Sequence, residues 1–198
     1  MNILILSLGY LLGSFPSGYL AGRIAKGIDI RSLGSGSTGA TNVLRHIGKR
    51  AAITVFLLDV LKGVLSILLA KYLLLNDSWQ VAIGLSTLIG HIWPVWLNWR
   101  GGKAVATGLG IFLGLSWQVG LATLGIFILI ISLFKIVSLA SVSAALALPI
   151  IMFLSFKNSI ISLPFLVVSL LAMILVVWRH RENIVRLIKG KEPKIGQN

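Results

Sequence analysis

Residues 34–45 read Gly-Ser-Gly-Ser-Thr-Gly-Ala-Thr-Asn-Val-Leu-Arg, and long apolar segments lie on both sides of them, at 2–22 and 51–75. Glycine lets the backbone turn with its N–H groups on a concave side, which suits an anion. The hydroxyls add uncharged donors, and Arg45 adds a planar guanidinium that matches phosphate geometry. We expect no core packing here, and we expect a helix start near Ala51, where the helix dipole also favours an anion. The stretch predicts a phosphate-binding loop; the alternative is a flexible polar linker.

The composition is that of a protein that crosses the membrane several times. The chain has 198 residues, 57% of them hydrophobic and 12% charged, and its mean hydropathy is +0.96; soluble domains have about 25% charged residues. The absence of cysteine excludes disulfides and cysteine-based zinc sites. A net charge of +13 fits cytoplasmic loops rich in Lys and Arg. We therefore expect anionic membrane lipids and anionic substrates as partners, and no nucleic acid.

The apolar segments predict an all-α membrane protein with one domain over residues 1–198. Gly9 and Gly13, and then Gly18 and Gly22, are each four residues apart, which predicts close helix packing, and Pro16 predicts a break in the first span. When 23–50 is placed in the cytoplasm, 15 of the 18 Lys and Arg lie on that side. This asymmetry predicts an outside N-terminus and a cytoplasmic C-terminus. The seven predicted spans are 2–22, 51–75, 79–93, 104–116, 118–134, 137–156 and 160–178.

Two charged residues fall inside the second span. Asp59 and Lys62 are three residues apart, on one face of a helix. Charges at that depth are costly unless they face the bundle interior and pair with each other. We favour a structural ion pair over a catalytic one.

Two glycine-rich motifs resemble nucleotide-binding signatures, and both matches fail. Residues 34–39 fit the dinucleotide fingerprint, but a membrane helix precedes them where the fingerprint requires a strand. Gly101-Gly102-Lys103 resembles a Walker A loop, but Leu97 replaces its first glycine and Ala104 its Ser or Thr. Lys103 can still bind an anion at a helix start. The alternative is that it anchors the helix by reaching to the membrane surface.

The histidines differ in their sequence context. His91 is interpreted as a structural hydrogen-bonding residue, and His46 has no special context. His180 and Asn183 are three residues apart, on one face of the helical exit from the last span. Anion-binding donors outnumber side-chain nucleophiles, which indicates catalysis by positioning and electrostatic stabilisation if the chain is an enzyme.

Four stretches together resemble one known family. They are Gly34–Arg45, Leu57-Leu-Asp-Val-Leu-Lys-Gly63, Gly90–Thr107 and His180-Arg-Glu-Asn-Ile-Val-Arg186. In this order they resemble the motifs of the PlsY family, the bacterial acyl-phosphate:glycerol-3-phosphate acyltransferases of the inner membrane. The resemblance implies seven helices, an active site facing the cytoplasm, and no cofactor or metal. It also implies transfer of a fatty acyl group from acyl phosphate to the 1-hydroxyl of glycerol 3-phosphate, giving lysophosphatidic acid and phosphate.

The resemblance also implies roles for individual residues. Lys103, His180 and Asn183 would be catalytic, and a substrate phosphate would accept the hydroxyl proton. The residues that would bind the two phosphates and the glycerol are Ser35, Gly36, Thr41, Asn42, Arg45, Gly101, Gly102 and Ser141. Two positions depart from the family pattern: Ser37 replaces a common Asn, and Ala104 replaces a common Gly. Ala104 would be strained if that position needs a positive φ, and favourable if it is helical.

Two other functions are considered beside the enzyme. A transporter for organic anions would place broken helices and glycine loops at mid-membrane, whereas the glycine loops here are predicted at one membrane face. An assembly or regulatory protein with a basic lipid-binding face would explain the charge but not the loop of glycines and hydroxyls. A bundle that encloses its own site predicts a monomer.

Overall fold

A computed structural model of the chain describes residues 2–158 and 161–196. Within these ranges the protein has ten α-helices and no β-strand. The chain divides into two compact units, Met1–Gly114 and Leu115–Asn198. The first unit contains α1 (Asn2–Ser14), α2 (Ser17–Lys26), α3 (Ala40–His46), α4 (Lys49–Tyr72), α5 (Asp77–Ile92) and α6 (Val105–Leu115, which ends at the unit boundary). The second contains α7 (Trp117–Phe134), α8 (Val137–Lys157), α9 (Leu163–Arg179) and α10 (Arg181–Ile188).

Five segments of the described chain are long and apolar enough to cross a membrane: Ile3–Lys26, Lys49–Tyr72, Asp77–Leu97, Trp117–Phe134 and Val137–Lys157. The helices α9 and α10 form a sixth if the pair, bent by 61°, is one span. The helix α6 has 11 residues, about 16 Å at 1.5 Å per residue, which is shorter than a hydrocarbon core of about 30 Å. The all-α membrane fold is therefore confirmed. The count of seven spans and the orientation of the termini stay predictions.

The helix bounds follow the predicted spans to within a few residues, with one clear difference. The predicted polar loop 23–50 contains the helix α3 and a short 3-10 turn at Ile30–Ser32. The expectation that residues 34–45 pack no core was wrong: Val43 is fully buried with Ile30 and Val55. The stretch also leads into α3 at Ala40, and α4 begins at Lys49. Residues 159 and 160, around the predicted start of the last span, lie outside the described residues.

The predicted glycine face of the first segment is a packing surface. Gly9 lies against Ile83, and Gly13 lies against the backbone of Thr87, both on α5. After the break at Pro16, Gly18 lies against the backbone of Thr38. A β-carbon at Gly13 or Gly18 would overlap these neighbouring backbones. Small residues therefore let the backbones approach more closely than Leu or Val would allow.

A buried ion pair in α4 joins three elements of the first unit. Lys62 Nζ lies 2.8 Å from Asp59 Oδ1, and both side chains are almost fully buried. Ser17 of α2 donates from Oγ to the same oxygen at 2.6 Å, and Lys62 also donates to the Phe15 carbonyl at 3.2 Å. The α1–α2 break therefore supplies two polar partners for the pair. This arrangement supports the structural interpretation of Asp59 and Lys62.

His91 links the Asp59 carboxylate to α5 and α6. His91 Nδ1 lies 3.7 Å from Asp59 Oδ1 and 3.2 Å from Thr107 Oγ1. His91 and Thr107 are both buried. The predicted structural role of His91 agrees with this position between α4 and α6.

In the second unit the helices α7, α8 and α9 pack in sequence, and α10 contacts α8 and α9. The tail after α10 returns to the turn between α7 and α8, where the Ile195 N–H donates to the Lys135 carbonyl at 2.7 Å. Large apolar side chains on α7, α8 and α9 remain exposed, among them Leu129, Ile150 and Ile174. Exposed apolar side chains on long helices fit contact with lipid.

We expect Gly13→Ala to destabilise the protein by about 1–3 kcal/mol, because the added methyl group would overlap the Thr87 backbone. The measurement is the midpoint of thermal unfolding in detergent. Gly125→Ala is the matched control, because Gly125 lies in α7 with no atom within 4 Å of an added β-carbon. The control should be neutral or slightly stabilising. Equal midpoints for the two variants would contradict the packing interpretation.

We expect Lys62→Met to destabilise the protein by about 3–5 kcal/mol, because it leaves the Asp59 carboxylate buried without its cation. Asp59→Leu combined with Lys62→Met should recover most of this loss, since no charge then remains to be compensated. Thermal unfolding tests the stability, and turnover is measured on the same samples. A double variant that is folded but inactive would instead support a catalytic role for the pair.

Candidate active site

The loop at 30–39 is held in shape by one buried amide. Asn42 Nδ2 shares its two hydrogens among the carbonyls of Ile30, Leu33 and Ser37 at 2.9–3.0 Å. Its Oδ1 accepts from the Ser35 N–H at 3.3 Å. The predicted binding residue Asn42 is thus 2% exposed and used by the loop itself. Its side chain therefore holds the loop in the conformation that leaves the neighbouring polar residues exposed.

Two glycines allow this loop to close on itself. Gly34 and Gly36 have φ of 55° and 65°, a region that residues with a β-carbon rarely adopt. A β-carbon at Gly34 would also overlap the Asn42 oxygen and the His46 ring. Ser35, Gly36 and Arg45 are exposed, and Thr41 is half-buried. The structure therefore brings five predicted residues together on one internally braced loop and helix: Ser35, Gly36, Thr41, Asn42 and Arg45.

Arg31 joins this loop to the second polar segment. Its guanidinium donates to both Asp29 oxygens at 2.7–3.2 Å and, through Nη1, to the Leu97 carbonyl at 2.7 Å. The hydrogen bonds from Arg31 hold the pKa of Asp29 below its ordinary value, and the carboxylate raises the pKa of Arg31. The guanidinium also lies over the Tyr19 ring, 5.2 Å from its centre. Both Arg31 and Asp29 were missed by the sequence analysis, although an Asp–x–Arg pair in a basic loop was a visible signal.

The second polar segment follows α5 and contains the predicted residues Gly101, Gly102 and Lys103. The Gly101 N–H donates to the Ile92 carbonyl, and the Gly102 N–H donates to the His91 carbonyl, each at 3.1 Å. These bonds satisfy carbonyls at the end of α5, which would otherwise lack partners. The backbone N–H groups of the two glycines therefore cap the C-terminal end of α5. A β-carbon at Gly102 would overlap the His91 ring, so only glycine fits there.

Backbone strain is concentrated around Lys103. Asn98, Trp99 and Ala104 have positive φ of 50°, 63° and 61°. The structure decides between the two alternatives for Ala104: the position is left-handed, which costs about 1–2 kcal/mol for a residue with a β-carbon. The Ala104 carbonyl then accepts from the Gly108 N–H at 2.8 Å as α6 begins. Lys103 is half-buried at this turn into α6. Such strain is found preferentially at functional sites.

The second unit contains the other three predicted residues, Ser141, His180 and Asn183, all buried. Ser141 Oγ donates to the Val137 carbonyl, one turn back in α8, at 2.9 Å. His180 lies at the bend between α9 and α10, with Nδ1 2.8 Å from the Val176 carbonyl. Because a carbonyl only accepts, Nδ1 carries a proton, and the lone pair of the neutral ring is on Nε2.

Asn183 is bound by a tail residue that the sequence analysis missed. Asn183 Nδ2 donates to Glu192 Oε1, and Arg186 Nε donates to Glu192 Oε2 at 2.7 Å. The Glu192 side chain is only 2% exposed. An acidic residue in a basic tail was a weak signal, because nothing in the sequence shows that the tail folds back onto α10.

Comparison with known proteins identifies the family of the chain. Residues 3–190 match the family model described as glycerol-3-phosphate acyltransferase. The glycerol-3-phosphate acyltransferase of Prochlorococcus marinus strain NATL2A is 89% identical over all of both chains. A relative of the same name from Parasynechococcus marenigrum strain WH8102 is 63% identical over 98% of this chain and 90% of its own.

The fold is also that of a solved membrane enzyme. Crystal structures exist for PlsY, an integral membrane glycerol 3-phosphate acyltransferase, in a glycerol 3-phosphate form and a lysophosphatidic acid form. The first is 35% identical, with a TM-score of 0.90, over 98% of this chain and 96% of that chain. The second is 35% identical, with a TM-score of 0.89, over 98% and 95%. The match of a family model to nearly the whole sequence and the high identity of these relatives lead to one conclusion: the chain belongs to the glycerol-3-phosphate acyltransferase family of integral membrane enzymes, the PlsY family.

Proposed function

We propose that this chain transfers a fatty acyl group from acyl phosphate to the 1-hydroxyl of sn-glycerol 3-phosphate. The products are lysophosphatidic acid and inorganic phosphate, in the first acylation of phospholipid synthesis. The observation that carries the proposal is the similarity of nearly the whole chain to PlsY in both a glycerol 3-phosphate form and a lysophosphatidic acid form. These two molecules are the acceptor and the acylated product of the proposed reaction.

The phosphate of glycerol 3-phosphate and that of the acyl donor are proposed to bind at two polar segments. Ser35, Gly36, Thr41 and Arg45 supply hydroxyl, N–H and guanidinium donors on the loop that Asn42 braces. Lys103 supplies an ammonium on the segment that Gly101 and Gly102 fasten to α5. Because Arg31 ties the two segments to each other, little reorganisation is needed when the anions bind. Preorganised donors stabilise charge more effectively than donors that must move.

An acyl phosphate donor fits this supply of cations. The chain has 18 Lys and Arg and only 5 Asp and Glu, and the reaction brings two phosphate groups close together. Cations and N–H donors offset the repulsion between these anions. They also stabilise the phosphate as it leaves the acyl carbon.

In the proposed reaction the 1-hydroxyl oxygen of glycerol 3-phosphate attacks the acyl carbon. A new C–O ester bond forms, and the bond between the acyl carbon and the phosphate oxygen breaks. The leaving phosphate takes the hydroxyl proton, so atoms and charge balance without a protein base. The catalytic contribution is then positioning and electrostatic stabilisation.

Lys103, His180 and Asn183 are the proposed catalytic residues, and Ser141 is a proposed substrate-binding residue. Lys103 would stabilise negative charge on the phosphate and the acyl oxygen. His180, with its Nδ1 proton committed to the Val176 carbonyl, would orient the glycerol hydroxyl through Nε2. Asn183 would hold the same end of the acceptor.

The proposed location is the bacterial inner membrane, with the active site facing the cytoplasm. Its support is the charge asymmetry, because 15 of the 18 Lys and Arg fall on one side when seven spans alternate across the bilayer. Seven spans, an outside N-terminus, a cytoplasmic C-terminus, a single functional domain and a monomeric enzyme complete the proposal.

We expect purified protein in lipid to release phosphate from palmitoyl phosphate only when glycerol 3-phosphate is also present. Lysophosphatidic acid should form in equal amount, because one ester is made for each phosphate released. Phosphate assay and thin-layer chromatography measure the two products. A parallel reaction with palmitoyl-CoA should give no product. Acylation from the CoA donor alone would contradict the proposed donor, and no acylation from either would contradict the proposed function.

We expect Lys103→Ala to lower turnover by about 100-fold or more, because it removes a charged donor from the developing negative charge. The thermal midpoint should change little, since Lys103 is only half-buried. Lys157→Ala is the matched control, because Lys157 is an exposed lysine at the end of α8. The control should keep wild-type turnover. Near-wild-type turnover of folded Lys103→Ala would leave only the membrane-anchoring role for this lysine.

A further inference from the structure

Residues 189–196, the described part of the tail after α10, pack back onto the second unit. They return to the turn between α7 and α8, where the Ile195 N–H donates to the Lys135 carbonyl at 2.7 Å. Lys191 and Lys194 on either side of Glu192 are exposed. Glu192 alone of these three points inward, with 2% of its side chain exposed.

The two oxygens of Glu192 have different partners on α10. Oε1 accepts from Asn183 Nδ2, and Oε2 accepts from Arg186 Nε at 2.7 Å. The residues Asn183 and Arg186 are three apart, on one face of α10, so one carboxylate reaches both. Burial by itself raises the pKa of Glu192, but the hydrogen bonds from Asn183 and Arg186 outweigh it and hold the pKa below its ordinary value. Glu192 is therefore ionised at neutral pH.

An ionised carboxylate fixes which way the Asn183 amide faces. Carboxylate oxygens only accept hydrogen bonds, whereas an amide has a donating N–H side and an accepting oxygen. With its N–H side toward Glu192, the amide is bonded. Rotated by half a turn, it would place Oδ1 against a buried negative oxygen. The low dielectric around buried groups makes that alternative costly.

We propose that Glu192 is a positioning residue that holds the Asn183 amide in one orientation for the acyl transfer. The proposal rests on the catalytic role proposed above for Asn183. Glu192 itself contacts neither substrate nor reacting atoms; it acts through Asn183. Through Glu192, the segment after α10 then supports the geometry of a catalytic residue.

The test compares Glu192→Gln with Glu192→Met in the full-length protein in lipid. The two side chains have similar length and both lack the charge, so both lose the ion pair with Arg186. Gln keeps an oxygen that can accept from Asn183, but its amide can also donate, so it holds the Asn183 amide less firmly than the carboxylate does. We expect turnover with palmitoyl phosphate and glycerol 3-phosphate to be about tenfold or more lower for Glu192→Met than for Glu192→Gln, which should lie between Glu192→Met and wild type. Lys191→Ala, on an exposed neighbour in the tail, is the control and should not change turnover.

The same pair of variants is then made in an Asn183→Ala background. If Glu192 acts through Asn183, the difference between Gln and Met in turnover should disappear there, and the difference in the thermal midpoint should become smaller. A part of the midpoint difference should remain, because Gln can still accept from Arg186 Nε. The thermal midpoint reports the contact even when Asn183→Ala has no measurable turnover. A turnover difference that persists in this background, or a thermal-midpoint difference that does not shrink, would overturn the proposal, because Glu192 would then act by a route other than Asn183.

The remaining outcomes are also decisive. Equal turnover of Glu192→Gln and Glu192→Met in the otherwise wild-type protein overturns the positioning role. Absence of acyl transfer by the wild-type protein would contradict the proposed function, and the thermal midpoints would still show whether Glu192 and Asn183 are coupled.

Discussion

Polar groups that enter an apolar bundle must find their partners inside the protein, and this constraint organises the first unit. The Asp59 carboxylate is satisfied by Lys62 and Ser17, and it lies near His91, which contacts Thr107. Four helices are thereby held around one charge. Glycines make this possible, because α1 and α5 approach closely at Gly13, so short polar side chains can reach across.

The same constraint explains why several residues of the candidate site use their polar groups to hold its backbone in place. The Asn42 amide donates hydrogen bonds to the loop backbone, and the N–H groups of Gly101 and Gly102 donate to carbonyls at the end of α5. These residues make a rigid frame, and the frame carries Arg45 and Lys103, the cations suited to phosphate. Ala104, next to Lys103, has a strained left-handed backbone, and strain of this kind is found preferentially at functional sites.

Much of the fold was predictable, because apolar runs of membrane length and breaks at Pro and Gly are local signals. The break at Pro16, the glycine face of α1 and the buried Asp59–Lys62 pair were all predicted and agree with the structure. The interior role of Val43 was not predicted, because a single apolar residue among glycines and hydroxyls gives no periodic pattern. The motifs at 34–45, 90–107 and 180–186 indicated the family because they are long and ordered along the chain.

By itself the sequence determined that the protein is an all-α membrane protein and which family it belongs to, and it indicated the polar segments that are proposed to carry its chemistry. Hydropathy, charge and motif order are properties of the chain before it folds. Only the tertiary structure decided the direction of each polar side chain: Asn42 inward to its loop, Arg31 across to Leu97, and Glu192 back to Asn183. These directions depend on which donors and acceptors folding brings within about 3 Å of each other. No local sequence pattern indicates such a contact between residues that are distant in the chain.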